Sequence, residues 1–189
     1  MFLLPLRNFK AGRFCFEQKK ICVIVIMEIN IIVAADEQNA IGKDNGLLCR
    51  LQKDLKNFKE LTTGHPVVMG RKTFESLPKG ALPNRTNIVM SKSETRFPGC
   101  YTCTSAQEVL ELTQKHEKIF VIGGRAIYEE FFPIAHKIYL TRIRHTFEDA
   151  DVFFPEIDVD KWRILSVSDE YQADEKNEYP FFFSVYERI

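Results

Sequence analysis

Apolar and polar positions fall into alternating blocks along this chain. Ile29 to Ala35 is a run of apolar residues rich in β-branched side chains, the pattern of a strand buried on both faces. Asp36 to Gly46 is polar and carries Gly42 and the pair Asn45-Gly46, which predicts a loop. Leu51 to Thr62 has helical spacing, His65 to Met69 reads as a short strand ending before Gly70, and Thr73 to Leu77 as a short helix. Asn87 to Met90 is another strand. Ser105 to Gln114 opens with a capping box, Ser105 with Glu108 three residues on, and continues as a helix. Ile119 to Ile122 predicts a strand that stops at Gly123-Gly124, and Ile127 to Phe132 a helix. Lys137 to Ile143 alternates as a strand, and Trp162 to Ser168 with Tyr179 to Glu187 reads as a final antiparallel pair. This order predicts an α/β single domain: a central, mostly parallel, twisted sheet with an antiparallel C-terminal strand pair and helices on both faces.

Composition narrows the class. The 189 residues suffice for one domain with a substantial core, expected over 27–189. Lys plus Arg and Asp plus Glu both number 26, so a basic surplus for phosphate backbones is missing and nucleic acid is not the expected partner. The 5 cysteines are odd in number and sparse, which reads as reduced thiols in a cytoplasmic protein. Cys100 and Cys103 lie three apart in a predicted strand and so point to opposite faces; His65, His116, His136 and His145 show no paired spacing. No metal is expected.

Residues 1–26 differ from the rest. They carry Arg7, Lys10, Arg13, Lys19 and Lys20 against the single acid Glu17. The apolar run Ile21 to Met27 is far short of the roughly 20 residues that span a bilayer, so no membrane contact is expected. A signal peptide fits poorly, because its apolar region would run into the first strand. Met27 is the expected natural start, with 1–26 a gene-model artefact; a real but disordered extension and a targeting role are the alternatives.

Asp54 is the first candidate for chemistry. It lies three residues after Leu51 and four before Phe58, on the edge of the stripe Leu51, Leu55, Phe58, with Lys53, Lys56 and Lys59 largely outside it. A carboxylate there loses water and its pKa rises unless a partner intervenes, which suits an acid or an acceptor for a cationic or amide-bearing ligand. A first-turn carboxylate favoured by the helix dipole explains the position equally well.

Two strand-glycine-helix turns are the next candidates. Gly70-Arg71-Lys72-Thr73 places two cations beside backbone N–H groups, and Ile122-Gly123-Gly124-Arg125-Ala126-Ile127-Tyr128 lets the backbone approach a pyrophosphate closely. Together they fit a dinucleotide; two unrelated solvated turns are the bland alternative.

From Met27 to Ile189 these pieces, in order, resemble dihydrofolate reductase, and most of all its small bacterial form. The resemblance rests on Ile41-Gly42, Leu51…Asp54-Leu55…Phe58, Pro66 to Leu77, Leu82 to Asn87, Val121 to Gly124, Tyr139 to Ile143 and Phe153-Phe154-Pro155. It implies reduction of dihydrofolate to tetrahydrofolate by hydride transfer to C6 and protonation at N5, with NADPH as cofactor, in a cytoplasmic monomer. It assigns Asp54 as the carboxylate that grips the pterin, and Thr141 as the hydroxyl bonded to that carboxylate. Ile32, Ala34, Leu55, Phe58, Leu77 and Ile122 match the substrate pocket, and Arg85 the arginine for the substrate's glutamate carboxylate. Ala40, Ile41, Gly42, Asn45, Gly46 and Leu47 fall in the mobile loop, which runs from Ala40 to Leu48 and closes over the nicotinamide. Gly70, Arg71, Lys72, Thr73, Met90, Ser91 and Lys92 match the region of the adenosine 2′-phosphate. Gly123, Gly124, Arg125, Ala126, Ile127 and Tyr128 match the pyrophosphate turn, where the family has a cis Gly-Gly peptide. Ala34 and Ile122 also face the cofactor in the family.

The chain departs from the family at two positions. Cys49 stands where the family has a tryptophan that packs on the closing loop and holds a water near the substrate, and Gln52 stands where it has proline. Cys49 is thus a catalytic position with a smaller side chain that hydrogen-bonds poorly, and a looser loop or an extra water is expected there. Gln52 loses a residue pre-set for a helix start. A related pterin or pyrimidine reductase, or a non-catalytic NADPH-binding relative, are the alternative readings; Arg85 favours a glutamate-tailed substrate over the first, and Cys49 is the feature that favours the second.

Overall fold

The computed structural model describes residues 27–93 and 96–189, so the expectation for residues 1–26 lies outside the described residues. Strand β1 (Glu28–Ala35) is followed by β2 (Ala40–Gly42), α1 (Gln52–Thr62), β3 (Pro66–Gly70), α2 (Arg71–Glu75) and β4 (Thr86–Met90). Then come β5 (Cys100–Cys103), α3 (Ala106–Thr113), β6 (Lys118–Gly123), α4 (Arg125–Phe131), β7 (Lys137–Ile143), β8 (Val152–Phe153), β9 (Trp162–Val167) and β10 (Phe181–Arg188). One 8-stranded sheet runs β5-β4-β3-β6-β1-β7-β10-β9. Its first six strands are parallel, and β10 is antiparallel to both β7 and β9. The α/β expectation with an antiparallel C-terminal pair holds.

Alternation along β1 explains its central place. Ile29, Ile31, Val33 and Ala35 enter one core with Val109 of α3 and Phe131 of α4. Ile32 enters the core on the opposite face with Val67, Met69, Val89 and Phe120. Both faces are covered, so the strand needs no polar side, and each wholly buried side chain contributes about 1.5–3 kcal/mol. Cys103 joins the first of these cores and Cys100 the second, as opposite-facing strand positions must.

Several boundaries differ from the sequence reading. The expected loop from Asp36 to Gly46 contains β2, which pairs with β8 far along the chain. Helix α2 starts two residues early, at Arg71, because the extended Gly70 already serves as its N-cap. Helix α4 likewise begins at Arg125 directly after Gly124. Glu108 departs from a strict capping box: Ser105 accepts from Glu108 N, but the Glu108 carboxylate takes the N–H and hydroxyl of Thr104. The stripe of α1 is not closed over, since Leu55 remains 42% exposed while Leu51 is buried.

Candidate active site

The carboxyl ends of β1, β3, β4 and β6 open on one cleft of about 780 Å³, the position where parallel sheets bind ligands. Every residue expected around the cofactor lines this cleft except Ala40. Ala40 is wholly buried, with its N–H donating to Asp36 Oδ1 at 2.7 Å, so it serves the base of the loop and not its surface. The wall also includes Val33, Lys43, Ser76, Ser93 and Val152, which the sequence reading missed. Lys43 and Ser93 sit beside residues already singled out, and Ser76 lies one helical turn beyond Thr73; nothing local marks Val152, which reaches the cleft through the β2–β8 pairing.

The donor set fits a polyanionic dinucleotide. Lys43, Arg71, Lys72, Lys92 and Arg125 line the cleft, and among the described residues no Asp or Glu does. Among the described residues Lys72 and Lys92 have no carboxylate in salt-bridge range, whereas Arg71 pairs with Glu75 at 2.9 Å and Arg125 with Glu129 at 2.7 Å. Gly123 has φ +119 and a cis bond to Gly124. A Cβ at Gly123 would lie 3.3 Å from the hydroxyl of Tyr128, so only glycine fits. That hydroxyl is buried and donates to Ile32 O at 2.8 Å, and burial, with the nearby charge of Asp54, pushes the phenol up.

The loop over the cleft is tied at its root and its tip. Asp36 Oδ1 accepts from the N–H groups of Gln38 and Ala40, while its Oδ2 accepts from Phe147 N at 2.9 Å. Arg142 adds bonds to Asp36 O and Asn39 Oδ1. Farther out, Lys43 forms an ion pair with Asp149, Asp44 N donates to Asp151 Oδ2 at 3.2 Å, and Asn45 Nδ2 donates to Lys72 O at 3.4 Å.

Asp54 sits on α1, outside the residues that line this cleft. The register Ala34 with Thr141 brings β7 beside β1, and the Thr141 hydroxyl donates to Asp54 Oδ1 at 2.6 Å. Burial raises the Asp54 pKa, and the Thr141 bond opposes that rise. Leu51, the N-cap of α1, offers no side-chain acceptor. The open N–H groups of the first turn go instead to the segment between β9 and β10. Gln52 N donates to Lys176 O at 3.1 Å and Lys53 N to Asn177 Oδ1 at 3.1 Å. The first of these bonds is one that proline could not make.

Cys49 is half-buried against Leu51, Ile143 and Phe181. Burial, then the charges of Glu178 and Asp54, pushes its thiol up to about 12, so it is a protonated, unreactive neighbour of the carboxylate. Ile32, Phe58, Leu77 and Ile122 share one apolar cluster, and Ala34 joins Cys49 in another. Arg85 lies over the Phe58 ring at 5.7 Å, with Nη1 donating to Thr62 Oγ1 at 2.9 Å and Nε to Pro83 O at 3.0 Å. Among the described residues no carboxylate pairs with it, and burial lowers its pKa. No helix of the described residues is long and apolar enough to cross a membrane.

Comparison with known proteins agrees with this geometry. The family model for dihydrofolate reductase matches residues 28–188. The dihydrofolate reductase of Bacillus subtilis (strain 168) is 44% identical over 161 residues, covering 85% of this chain and 94% of that one. That of Haemophilus influenzae is 40% identical over 163 residues, covering 86% and 99%. Among solved structures, the Enterococcus faecalis dihydrofolate reductase complexed with NADP(H) and RAB-propyl superposes with a TM-score of 0.78 at 39% identity, covering 85% of this chain and 96% of that one. With a matching family model across the whole described domain and relatives of this identity and coverage, the chain belongs to the dihydrofolate reductase family.

Proposed function

We propose that the residues assembled above divide the NADPH-dependent reduction of 7,8-dihydrofolate to 5,6,7,8-tetrahydrofolate as follows. Asp54 is the carboxylate that grips the substrate, and the observation that carries this is its 2.6 Å bond from Thr141 in a half-buried setting with no ion-pair partner among the described residues. Oδ1 is engaged by Thr141, which leaves Oδ2 to accept from the pterin's amino group and ring nitrogen. Burial favours the protonated form and the Thr141 bond opposes it, a balance that suits Asp54 to promoting protonation at N5. Phe58, Leu77, Ile32 and Ile122 exclude water from the pterin and benzoyl rings. Arg85, positioned by Thr62 and Pro83, keeps Nη2 for the substrate's glutamate carboxylate.

NADPH would be held by Arg71, Lys72, Thr73, Ser91 and Lys92 at the 2′-phosphate and by Gly123 to Tyr128 at the pyrophosphate. Bound there, it supplies the hydride that reaches C6. Loop residues Ile41 to Leu47 cover the nicotinamide and keep solvent out. Cys49 leaves room for an extra water beside Asp54. On the same footing the domain is 27–189, and the protein acts as a cytoplasmic monomer.

The test is NADPH absorbance with purified protein. Oxidation requires dihydrofolate, and Asp54→Asn slows it by orders of magnitude while NADPH still binds. Oxidation that is indifferent to Asp54→Asn overturns the assignment.

A further inference from the structure

We infer that Asn177 is a positioning residue for Asp54, capping from outside the first turn of the helix that carries it; the inference rests on the reading of Asp54 given above.

Helix α1 has a defect at its start. Leu51 is extended, at φ −119 and ψ 105, and its side chain has nothing with which to accept a hydrogen bond. The missing acceptor comes from 124 residues away, where Asn177 Oδ1 takes Lys53 N–H at 3.1 Å. Asn177 is 1% exposed, unusual for asparagine, and both polar atoms of its amide have partners. Its Nδ2 donates to Asp174 Oδ1 at 2.7 Å. A carboxylate can only accept, so this bond fixes which way the amide is turned and aims Oδ1 at the helix. The backbones of Asp174 and Asn177 close the same turn with bonds of 2.9 and 3.1 Å, and Lys176 N donates to Asp174 Oδ1 at 2.8 Å.

The acceptor therefore belongs to a rigid turn. That turn leads directly into β10, in which Phe183 pairs with Thr141. Asp54 is thus held twice by one pair of strands: its carboxylate by Thr141 on β7, and the peptide just before it by Asn177 ahead of β10. A loose first turn would let Asp54 move off Thr141 and into water. Among the described residues the groups that act on the carboxylate are few. Tyr128 of α4 and Cys49 feel its charge, Glu178 acts on Cys49, and the Lys53 ammonium is turned away over the Tyr171 ring at 4.4 Å. Hydration is therefore the main quantity that the cap controls.

Two variants separate this role from a general structural one. Both Asn177→Ala and Asn177→Asp lose the donor to Asp174, but only the aspartate keeps an acceptor for Lys53 N–H. Single-turnover hydride transfer is measured across pH for both, with KM for NADPH and the thermal midpoint alongside. In Asn177→Ala the rate falls about tenfold. Its pH midpoint moves down because Asp54 gains water, and KM for NADPH stays put. In Asn177→Asp the midpoint stays or moves up. A lowered thermal midpoint with an unmoved pH midpoint in Asn177→Ala overturns the inference, as does a downward shift of equal size in both variants. If Asp54→Asn itself leaves the pH profile intact, the reading of Asp54 fails and the inference with it; if Asp54→Asn abolishes the profile while Asn177→Ala leaves it unmoved, only the inference fails.

Discussion

Replacing Thr141 by valine removes one oxygen from the site at almost constant volume. The oxygen lost is the donor to Asp54 Oδ1, at 2.6 Å and 3% residue exposure, so water has little room to substitute for it. A hydrogen bond to a charged group is worth about 1.5–3 kcal/mol, and most of that amount falls on the ionised form of Asp54, because the protonated carboxyl accepts more weakly. Every 1.4 kcal/mol is tenfold, so even at the lower end of that range the ionised form becomes roughly five- to tenfold less favourable against the protonated one. Burial already raises the Asp54 pKa, and without Thr141 nothing opposes that rise. The pH at which hydride transfer loses half its rate therefore moves up in Thr141→Val, and Thr141→Ser restores it. The assay is single-turnover NADPH oxidation across pH, with cofactor saturating because the cleft does not include Thr141. An unmoved midpoint in Thr141→Val, with the fold intact by circular dichroism, refutes the reasoning.

Further outcomes follow from the same geometry. Asp54→Asn raises thermal stability at neutral pH although it removes activity. The raised pKa means that the native state binds the Asp54 proton more tightly than the unfolded chain does. That contribution is complete below the ordinary carboxylate range and is lost as pH rises through the folded value, so the gain over wild type vanishes in acid; thermal melts at acid and neutral pH check it. Cys49→Trp restores bulk beside Leu51 and Phe181 and speeds hydride transfer a few-fold, and unchanged single-turnover rates would sink the expectation of an extra water there. Arg71→Ala raises KM for NADPH about tenfold, as loss of one charge-assisted bond implies, and leaves KM for NADH unchanged. Equal effects on both cofactors would remove Arg71 from the 2′-phosphate.

What was legible in the sequence followed from local pattern. The run Ile29 to Ala35 announces a doubly buried strand because each residue carries the signal itself. The start of α2 was missed because Arg71 and Lys72 are charged and show no apolar period, while the decisive residue, Gly70, acts through backbone conformation. Strand β2 was missed because its three residues gain strand geometry only by pairing with β8, about 110 residues away. The exposure of Leu55 depends on how far α1 stands from the sheet, which helical spacing does not encode. Within the site, motif residues could be named one by one, and the family resemblance gave them roles. The contacts that support them could not be named: Asn177 with Lys53, Asp36 with Phe147 and Lys43 with Asp149 join residues more than a hundred apart.

The central place of β1 has a consequence for how the chain is made. Among the described residues the strand is the first element out of the ribosome, yet both of its neighbours come late: β6 begins at Lys118 and β7 ends at Ile143. During synthesis its apolar run has no strand to pair with until well over half of the polypeptide has emerged, and the helices that cover one face, α3 and α4, are also still unmade or unanchored. The β3–β4–β5 half can pair within itself much earlier, since its strands lie within about forty residues of one another. Folding on the ribosome therefore builds the β3–β4–β5 half of the sheet first and inserts β1 later, as a middle slat slid between two newer ones. A nascent chain stalled before β6 would offer a sticky, unpaired β1 to chaperones and to other nascent chains.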